Sequence, residues 1–474
     1  MTESAAVPAA RQPNERLLSL IREAGCSNAG LARRVNVCAA ERGLDFRYDK
    51  TSVARWIRGQ RPRGRAPEVI AEALGRKLGR AVTLQEIGMG GSRQPPSAVG
   101  LTFAPGLTEA LEEARELWRA DAARPQPGGH TGAAGTNGAA VAPGAMVEPS
   151  RDWLIARIDD SVAAAAGTGR VGASDVEAVV ATTAALIELD RRWGAGHVRP
   201  VLAHYLNGVV AGLLTGSYRE SVGRRLFAAA ARLTELAGYM AVDTGQPGLA
   251  QRYYIQALRL SQAAGDRGFG GYVLAAGMSH LAAQLGSPRE VIQLARAAQE
   301  GTRGQVPPRA EALFLAAEAR GHAQLGDREA CRRVASPALA AMDRATGSRG
   351  EDPPWVAHYD SAYLADELAH CHRDLDQGAA AQQRASEALA GHPETRTRRR
   401  AIGLLVLATG KLQQAEVEHA CQTAGEAGVL LTGLRSKRGT QYFADFNARL
   451  APYQDTSHVK EFQERWRGAG AVLV

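Results

Sequence analysis

The sequence predicts an all-α protein: a small basic helical domain, a flexible linker, and a long array of helical repeats. Three observations carry this. Ala, Leu and Arg, the residues of highest helix propensity, dominate outside the linker, while aromatics make up only 5% of the chain. Apolar residues recur at three- and four-residue spacing through most of the sequence. Between Arg124 and Pro149 this periodicity gives way to Gly, Ala, Pro and Thr, a composition that suits a flexible connection. At 474 residues the chain exceeds one ordinary domain, and 45% hydrophobic residues are enough for real cores.

The N-terminal elements follow from local signals. Residues 1–13 are small and polar with two prolines, as in a disordered tail. Asn14 can cap a helix in which Leu17, Leu18, Ile21 and Ala24 are in phase, ended by Gly25. Ser27 caps a second helix, with Leu31, Ala32 and Val35 as its buried stripe. Ala39, Ala40 and Glu41 can lengthen that helix. The third, between Asp49 and Gly59, is the most fully punctuated. Asp49 precedes it as N-cap, Gly59 and Pro62 stop it, and Val53, Trp56 and Ile57 form one apolar stripe. Its other faces carry Lys50, Thr51, Ser52, Arg55 and Arg58, and Arg61, Arg63 and Arg65 follow with no Asp or Glu among residues 50–65.

Charge placement points the same way. Residues 14–90 hold fifteen Lys/Arg against eight Asp/Glu, nearly all of the chain's net +8. A concentrated basic module favours a polyanion through phosphate neutralisation and counterion release. A short helix with an apolar back and a basic front suits the major groove of double-stranded DNA. The plainer alternative is a solvated basic helix.

These residues also carry a resemblance. Gly25 to Val35 (GCSNAGLARRV) resembles the first half of the phage-repressor-like (Cro/C1, XRE-type) helix-turn-helix. Thr51 to Gly59 resembles that family's recognition helix, including its apolar–x–x–Trp–x–x–Gly ending. Pro67 to Leu78 and Leu84 to Ile87 look like its closing helices. The likeness spans about residues 14–88 and departs in one respect: a long connection, Asn36 to Tyr48, replaces the tight turn. The resemblance implies a DNA-binding domain over 14–90. Asn28 would touch a phosphate, and Lys50, Thr51, Ser52 and Arg55 would lie at base edges or the flanking backbone. Arg58, Arg61, Arg63 and Arg65 would hold phosphates.

Residues 91–149 read as a linker containing one amphipathic helix, 107–120, that can dock on either domain or pair with its copy in a dimer. From 150 to 467 helix follows helix with an internal spacing. Gly238, Gly245, Ala250, Tyr254 and Ala257 define one unit, and Ser279, Gly286, Val291, Ala295 and Ala298 a second. Ala319, Gly326, Ala330 and Ala335 give a third, one residue short after its glycine. A fourth, blurred unit lies between Ala365 and Leu389, and Gly403, Gly410 and Ala415 mark a fifth. The spacing resembles that of tetratricopeptide (TPR) repeats, whose small residues let paired helices approach closely. Two amphipathic helices between Gln441 and Trp466 read as a terminal cap.

Other chemistry lacks support. There is no GxxxxGK[ST] or strand-linked GxGxxG, so no nucleotide cofactor is expected, and GDRGFGG at 265–271 reads as a loop. His370, Cys371 and His372 are adjacent on a helix and diverge by about 100°, so they do not converge on a metal. Five widely spaced cysteines without a CxxC pair suggest no disulfide framework or zinc ribbon. Arg396, Arg398, Arg399 and Arg400 read as a solvated helix start. No signal region or long apolar run is present, so a cytoplasmic protein without membrane attachment is expected.

The whole resembles actinobacterial regulators that join an N-terminal XRE-type helix-turn-helix to a C-terminal TPR domain. That resemblance implies a homodimeric, non-enzymatic transcription regulator, with its repeat domain sensing a peptide, small molecule or protein. Control of differentiation or secondary metabolism is part of the same implication. The alternative is a protein-interaction scaffold whose helix-turn-helix no longer reads DNA, motivated by the long connection at 36–48.

Overall fold

The computed structural model describes residues 13–41, 44, 46–60, 62, 66–78, 80, 82, 86–87, 89, 98–123, 140–142, 144–163, 169–347, 352–434 and 436–467. Among them the secondary structure is helical, apart from one isolated bridge between Arg170 and Ser217. The chain divides into two compact units, 1–94 and 95–474.

The first unit contains α1 (Glu15–Glu23), α2 (Asn28–Glu41), α3 (Lys50–Ile57) and α4 (Ala66–Leu78). Their apolar stripes meet in one core of Leu17, Ile21, Leu31, Val35, Val53, Trp56, Ile70 and Leu74. The capping signals work as read. Asn14 Oδ1 accepts from Leu17 N at 3.0 Å, and Ser27 Oγ accepts from Gly30 N at 3.1 Å. Asn14 also closes the unit: its backbone N–H donates to Ile57 O at 2.7 Å and its Nδ2 to Ile87 O at 2.8 Å.

The long connection between α2 and α3 is held at its ends. Asn36 Nδ2 donates to Tyr48 O, and Tyr48 N donates to Asn36 Oδ1, both at 2.9 Å. The Tyr48 ring then meets Trp56 edge-on, with centroids 4.9 Å apart. The extra residues thus lengthen α2 and return the chain to a fixed point at the start of α3.

The second unit begins earlier than the linker reading implies. α5 (Leu107–Ala122) buries Ala114, Leu117 and Trp118 in the core of this unit, so of the placements open to the amphipathic helix it takes docking on the second unit. α6 (Val147–Ile155) begins inside the stretch read as flexible, of which residues 124–139 lie outside the described residues. α7 (Ala173–Trp193), α8 (Ala195–Tyr205), a π turn at Leu206–Val210 and α9 (Ala211–Leu214) follow.

Five helical hairpins then succeed one another. They are α10 (Glu220–Asp243) with α11 (Pro247–Ala264), and α12 (Arg267–Tyr272), π turn Val273–Met278 and α13 (Ser279–Gln284) with α14 (Pro288–Gly301). Next come α15 (Pro308–Gln324) with α16 (Arg328–Gly347), α17 (Ser361–Asp374) with α18 (Gly378–Gly391), and α19 (Thr397–Gln413) with α20 (Val417–Leu431). α21 (Lys437–Arg449) packs on α19 and α20, and α22 (Ser457–Trp466) on α20. Phe443, Phe462 and Trp466 join these last two helices.

One register runs through all five hairpins. Each turn has a single residue in the left-handed region: Gly245, Gly286, Gly326, Asp376 and Ala415, with φ between 55° and 74°. Seven residues before it stands a small residue (Gly238, Ser279, Ala319, Ala369, Ala408). Twelve after it stands a buried alanine (Ala257, Ala298, Ala338, Ala388, Ala427). This corrects two units. In the third, Cys331 rather than Ala330 occupies the position five after the turn, so nothing is missing. In the fifth the turn lies at Ala415, and Gly410 is inside α19, where its flat face lies against Gly378 O. The GDRGFGG stretch is likewise mostly helix, as α12.

α11 ties the unit together through a buried polar stripe. Gln251, Arg252, Gln256, Arg259 and Gln262 are all at most 3% exposed. They donate to carbonyls of the irregular segments on either side of α5 and after α6: Ala142 at 2.8 Å, Ala140 at 3.2 Å, Thr102 at 3.0 Å, Ala104 at 2.6 Å and Ala156 at 3.2 Å. Side chains thus satisfy backbone carbonyls that no regular structure pairs. Arg259 also clamps Asp159 through both terminal nitrogens, at 2.8 and 2.9 Å.

Candidate nucleic-acid interface and a charged cavity

α3 is fixed at both ends and along its back, which leaves one face free. Asp49 Oδ1 accepts from Ser52 N at 2.8 Å, and Ser52 Oγ donates to the same oxygen at 2.8 Å. These bonds hold the Asp49 carboxyl below its ordinary range. At the other end Gly59, at φ 91°, lets Gln60 N reach Arg55 O and Gly59 N reach Trp56 O, both at 3.0 Å. Val53 and Trp56 fill the core behind.

The exposed front carries Lys50, Thr51, Arg55 and Arg58. Asn28, half-buried at the start of α2, shares a shallow depression with Ser27, Ala29, Lys50, Thr51 and Ala54. Two helix N-termini meet there beside a lysine, an arrangement suited to a phosphate group. Ser52 belongs elsewhere. It is only 6% exposed and spent on the capping box, so it is not free to read a base edge. Arg61, Arg63 and Arg65 lie outside the described residues.

A second feature lies wholly within the C-terminal unit. The hairpins curve around a cavity of about 530 Å³ bordered by α7, α10, α13, α15, α17, α19 and α21. Its wall holds nine arginines against five carboxylates. Much of this charge is paired in place. Arg398 bridges Asp190 at 2.7 Å and Asp243 at 2.9 Å, Arg320 meets Glu367 at 2.8 Å, Arg232 meets Glu235 at 2.9 Å, and Arg399 meets Asp366. Tyr239 Oη accepts from Arg398 at 2.7 Å and from Arg438 at 3.0 Å, with both guanidiniums beside its ring.

A row of rings lines one side. Tyr272 approaches His358 at 6.3 Å between centroids, and His358 approaches Tyr363 at 5.2 Å. Arg232 lies 5.3 Å from the Tyr272 centroid, while Arg396 and Arg399 lie 5.0 and 3.8 Å from that of Tyr363. Burial, then the positive charge of Arg232, Arg399, Arg191 and Arg396, pushes His358 down to about 3. The imidazole is therefore neutral at ordinary pH. Burial also lifts the Tyr272 phenol to about 12.

The arginine cluster at 396–400 is not a solvated helix start. Arg398 is 6% exposed in its carboxylate clamp, Arg399 lies over Tyr363, and Arg400 donates to Leu389 O at 2.9 Å. Sequence reasoning missed the cavity, although four arginines at a helix N-terminus, where the macrodipole disfavours cations, were a signal that carboxylates come from elsewhere.

Compared with known families, residues 17–90 match the family model described as the SP15 N-terminal domain. The match falls within the first unit. Searches of curated proteins and of solved structures find no match.

Proposed function

We propose that this chain is a DNA-binding transcription regulator, with its N-terminal unit on double-stranded DNA and its C-terminal unit responsive to a ligand. The observation that carries the reading is α3: Lys50, Thr51, Arg55 and Arg58 exposed on one face, with caps and core holding the helix still behind them. Rigid presentation of basic and polar side chains is what groove readout requires. Arg55 is the residue assigned to a base edge, Arg58 and Asn28 to phosphates. The Asn36–Tyr48 clasp supports the same reading, because it fixes α3 against α2 despite the long connection.

The C-terminal unit resembles a TPR array, and its charged cavity supports ligand binding there. A ligand acts on DNA binding only by favouring one arrangement of the DNA-binding units over another. A cytoplasmic homodimer is part of this proposal. No helix among the described residues is long and apolar enough to cross a membrane.

The test is a genomic pull-down sequenced for enriched sites, then titration of the best site against scrambled DNA at fixed salt. A preference of about 10³ or more supports a specific regulator. A ratio near one, lost as salt rises, supports the scaffold alternative instead.

A further inference from the structure

Most of the cavity's arginines have carboxylate partners, but the side nearest the ring row is less fully paired. Of the arginines around the ring row, Arg232 and Arg399 each have a buried or nearly buried carboxylate. Among the described residues Arg191 pairs with Glu188, and the two side chains are 34% and 69% exposed. Arg396 meets no carboxylate among the described residues, and its Nη1 is buried without a hydrogen-bond partner. Among these residues Arg396 is thus left without a carboxylate, and Arg191 is paired only with a solvent-facing one. Buried polar atoms tell the same story. On residues lining the cavity, Arg320 Nε, Tyr359 Oη and Arg396 Nη1 are donors without a hydrogen-bond partner, beside the acceptors Gln324 Oε1 and Asp366 Oδ1 and the ring nitrogen His370 Nδ1, while Arg438 Nε lies 3.8 Å from Asp243. Unpaired buried donors are costly, and a ligand rich in acceptors relieves that cost.

We propose that the cavity holds a small organic phosphate, its phosphoryl group seated among Arg191, Arg232, Arg396 and Arg399 beside His358. A phosphate monoester carries close to two negative charges in one compact group at neutral pH, which suits the unpaired Arg396 beside the partly exposed Arg191. Planar guanidiniums pair with phosphate oxygens through two bonds at once. A cavity of about 530 Å³ is the size of a small-molecule site, with Tyr272, His358 and Tyr363 as a surface for the organic part. Neutral His358 can donate to a phosphate oxygen without adding further positive charge.

This inference rests on the C-terminal unit being the ligand-responsive one, so its test is separated from DNA binding. The full-length protein is titrated calorimetrically with adenosine 5′-monophosphate, glucose 6-phosphate and inorganic phosphate. Adenosine, glucose and an acidic tetrapeptide serve as controls at matched ionic strength. At least one organic phosphate should bind while its neutral counterpart does not. Arg396→Ala and Arg191→Ala should each weaken that binding about tenfold or more, because each removes a charged hydrogen bond without orphaning a buried carboxylate. Arg55→Ala, in the other unit, should leave it unchanged. Phosphates no tighter than neutral counterparts, tighter binding of the peptide, or affinity indifferent to Arg396→Ala would overturn the proposal. Operator titration of the same samples reads the DNA-binding proposal independently: discrimination that persists while phosphate binding fails removes only the cavity assignment.

Discussion

Arg399 places its guanidinium carbon 3.8 Å from the centre of the Tyr363 ring while its Nη1 bonds Asp366, a residue only 4% exposed. The geometry uses both properties of a guanidinium, a flat face for the ring and a donor edge for the carboxylate. Truncation leaves the buried Asp366 charge unpaired, so Arg399→Ala should cost about 3 kcal/mol. Arg399→Lys keeps the charge but not the stacked fork, and should cost about 1 kcal/mol. Urea denaturation followed by circular dichroism checks both, with the ordering wild type, Lys, Ala as the required result.

At the proposed DNA interface, the structure separates residues that the sequence groups together. Arg55→Ala should reduce discrimination between operator and scrambled DNA by about 1–3 kcal/mol. Arg58→Ala should weaken binding to all sequences alike and lower the salt slope by about 1. Ser52→Ala acts differently. It removes half of the capping box and should lower the thermal stability of the first unit by about 1 kcal/mol with sequence preference retained. A Ser52→Ala protein that loses preference at one base pair would return Ser52 to the interface.

The Asn36 clasp offers a mechanical test of the long connection. Asn36→Ala deletes two side-chain bonds to the Tyr48 backbone and should destabilise the unit by about 1–2 kcal/mol. Because α3 then loses its fixed entry point, operator affinity should fall along with stability. Unchanged affinity in the folded variant would mean that α3 is positioned by its core contacts alone.

What was legible in the sequence was local. The caps and stripe of α3 are encoded within a dozen residues, and the turns of the first three hairpins are marked by Gly245, Gly286 and Gly326. The fourth turn is blurred in the sequence and the fifth reads as shifted, because Asp376 and Ala415 adopt positive φ without glycine and Gly410 is the conspicuous residue nearby. The cavity was illegible for another reason. Arg398 finds Asp190 and Asp243, which are 208 and 155 positions away, and no window of sequence joins them. The docking of α5 on the second unit depends on partners as distant, such as Tyr253, whose hydroxyl donates to Asp121 at 2.7 Å. An amphipathic stripe shows that a helix is covered, not by what.

The buried histidines predict a direction for acid stability. His358 is held neutral down to about 3 and His392 down to about 4, first by burial and then by nearby arginines, against an ordinary value of 6.5. Below pH 6.5 the unfolded chain takes up protons that the folded chain still refuses. Stability is therefore unaffected by these groups above pH 6.5 and falls as the pH drops toward their folded values. The slope from His358 alone is about 1.4 kcal/mol per pH unit inside that window. Replacing it, as in His358→Gln, should flatten the urea midpoint between pH 6.5 and 5 relative to wild type. Equal slopes for the two proteins would show that His358 titrates normally in the folded state.

Ala415 provides the last test, at the turn where the repeat register departs from glycine. Its φ of 61° lies in the left-handed region, where an L-residue other than Gly, Asn or Asp sits at a cost of about 1–2 kcal/mol. The same turn position is glycine in the first three hairpins, each with φ near 70°. Ala415→Gly removes the steric cost but enlarges the conformational freedom of the unfolded chain, which takes back about 0.4–1 kcal/mol. The net expectation is a gain of roughly 0.5–1 kcal/mol. Asp376→Gly should gain less, because aspartate tolerates the left-handed region better than alanine does. Both variants are read by thermal unfolding of the full chain. A loss of stability in Ala415→Gly would mean that its methyl group contributes more packing than the turn geometry costs.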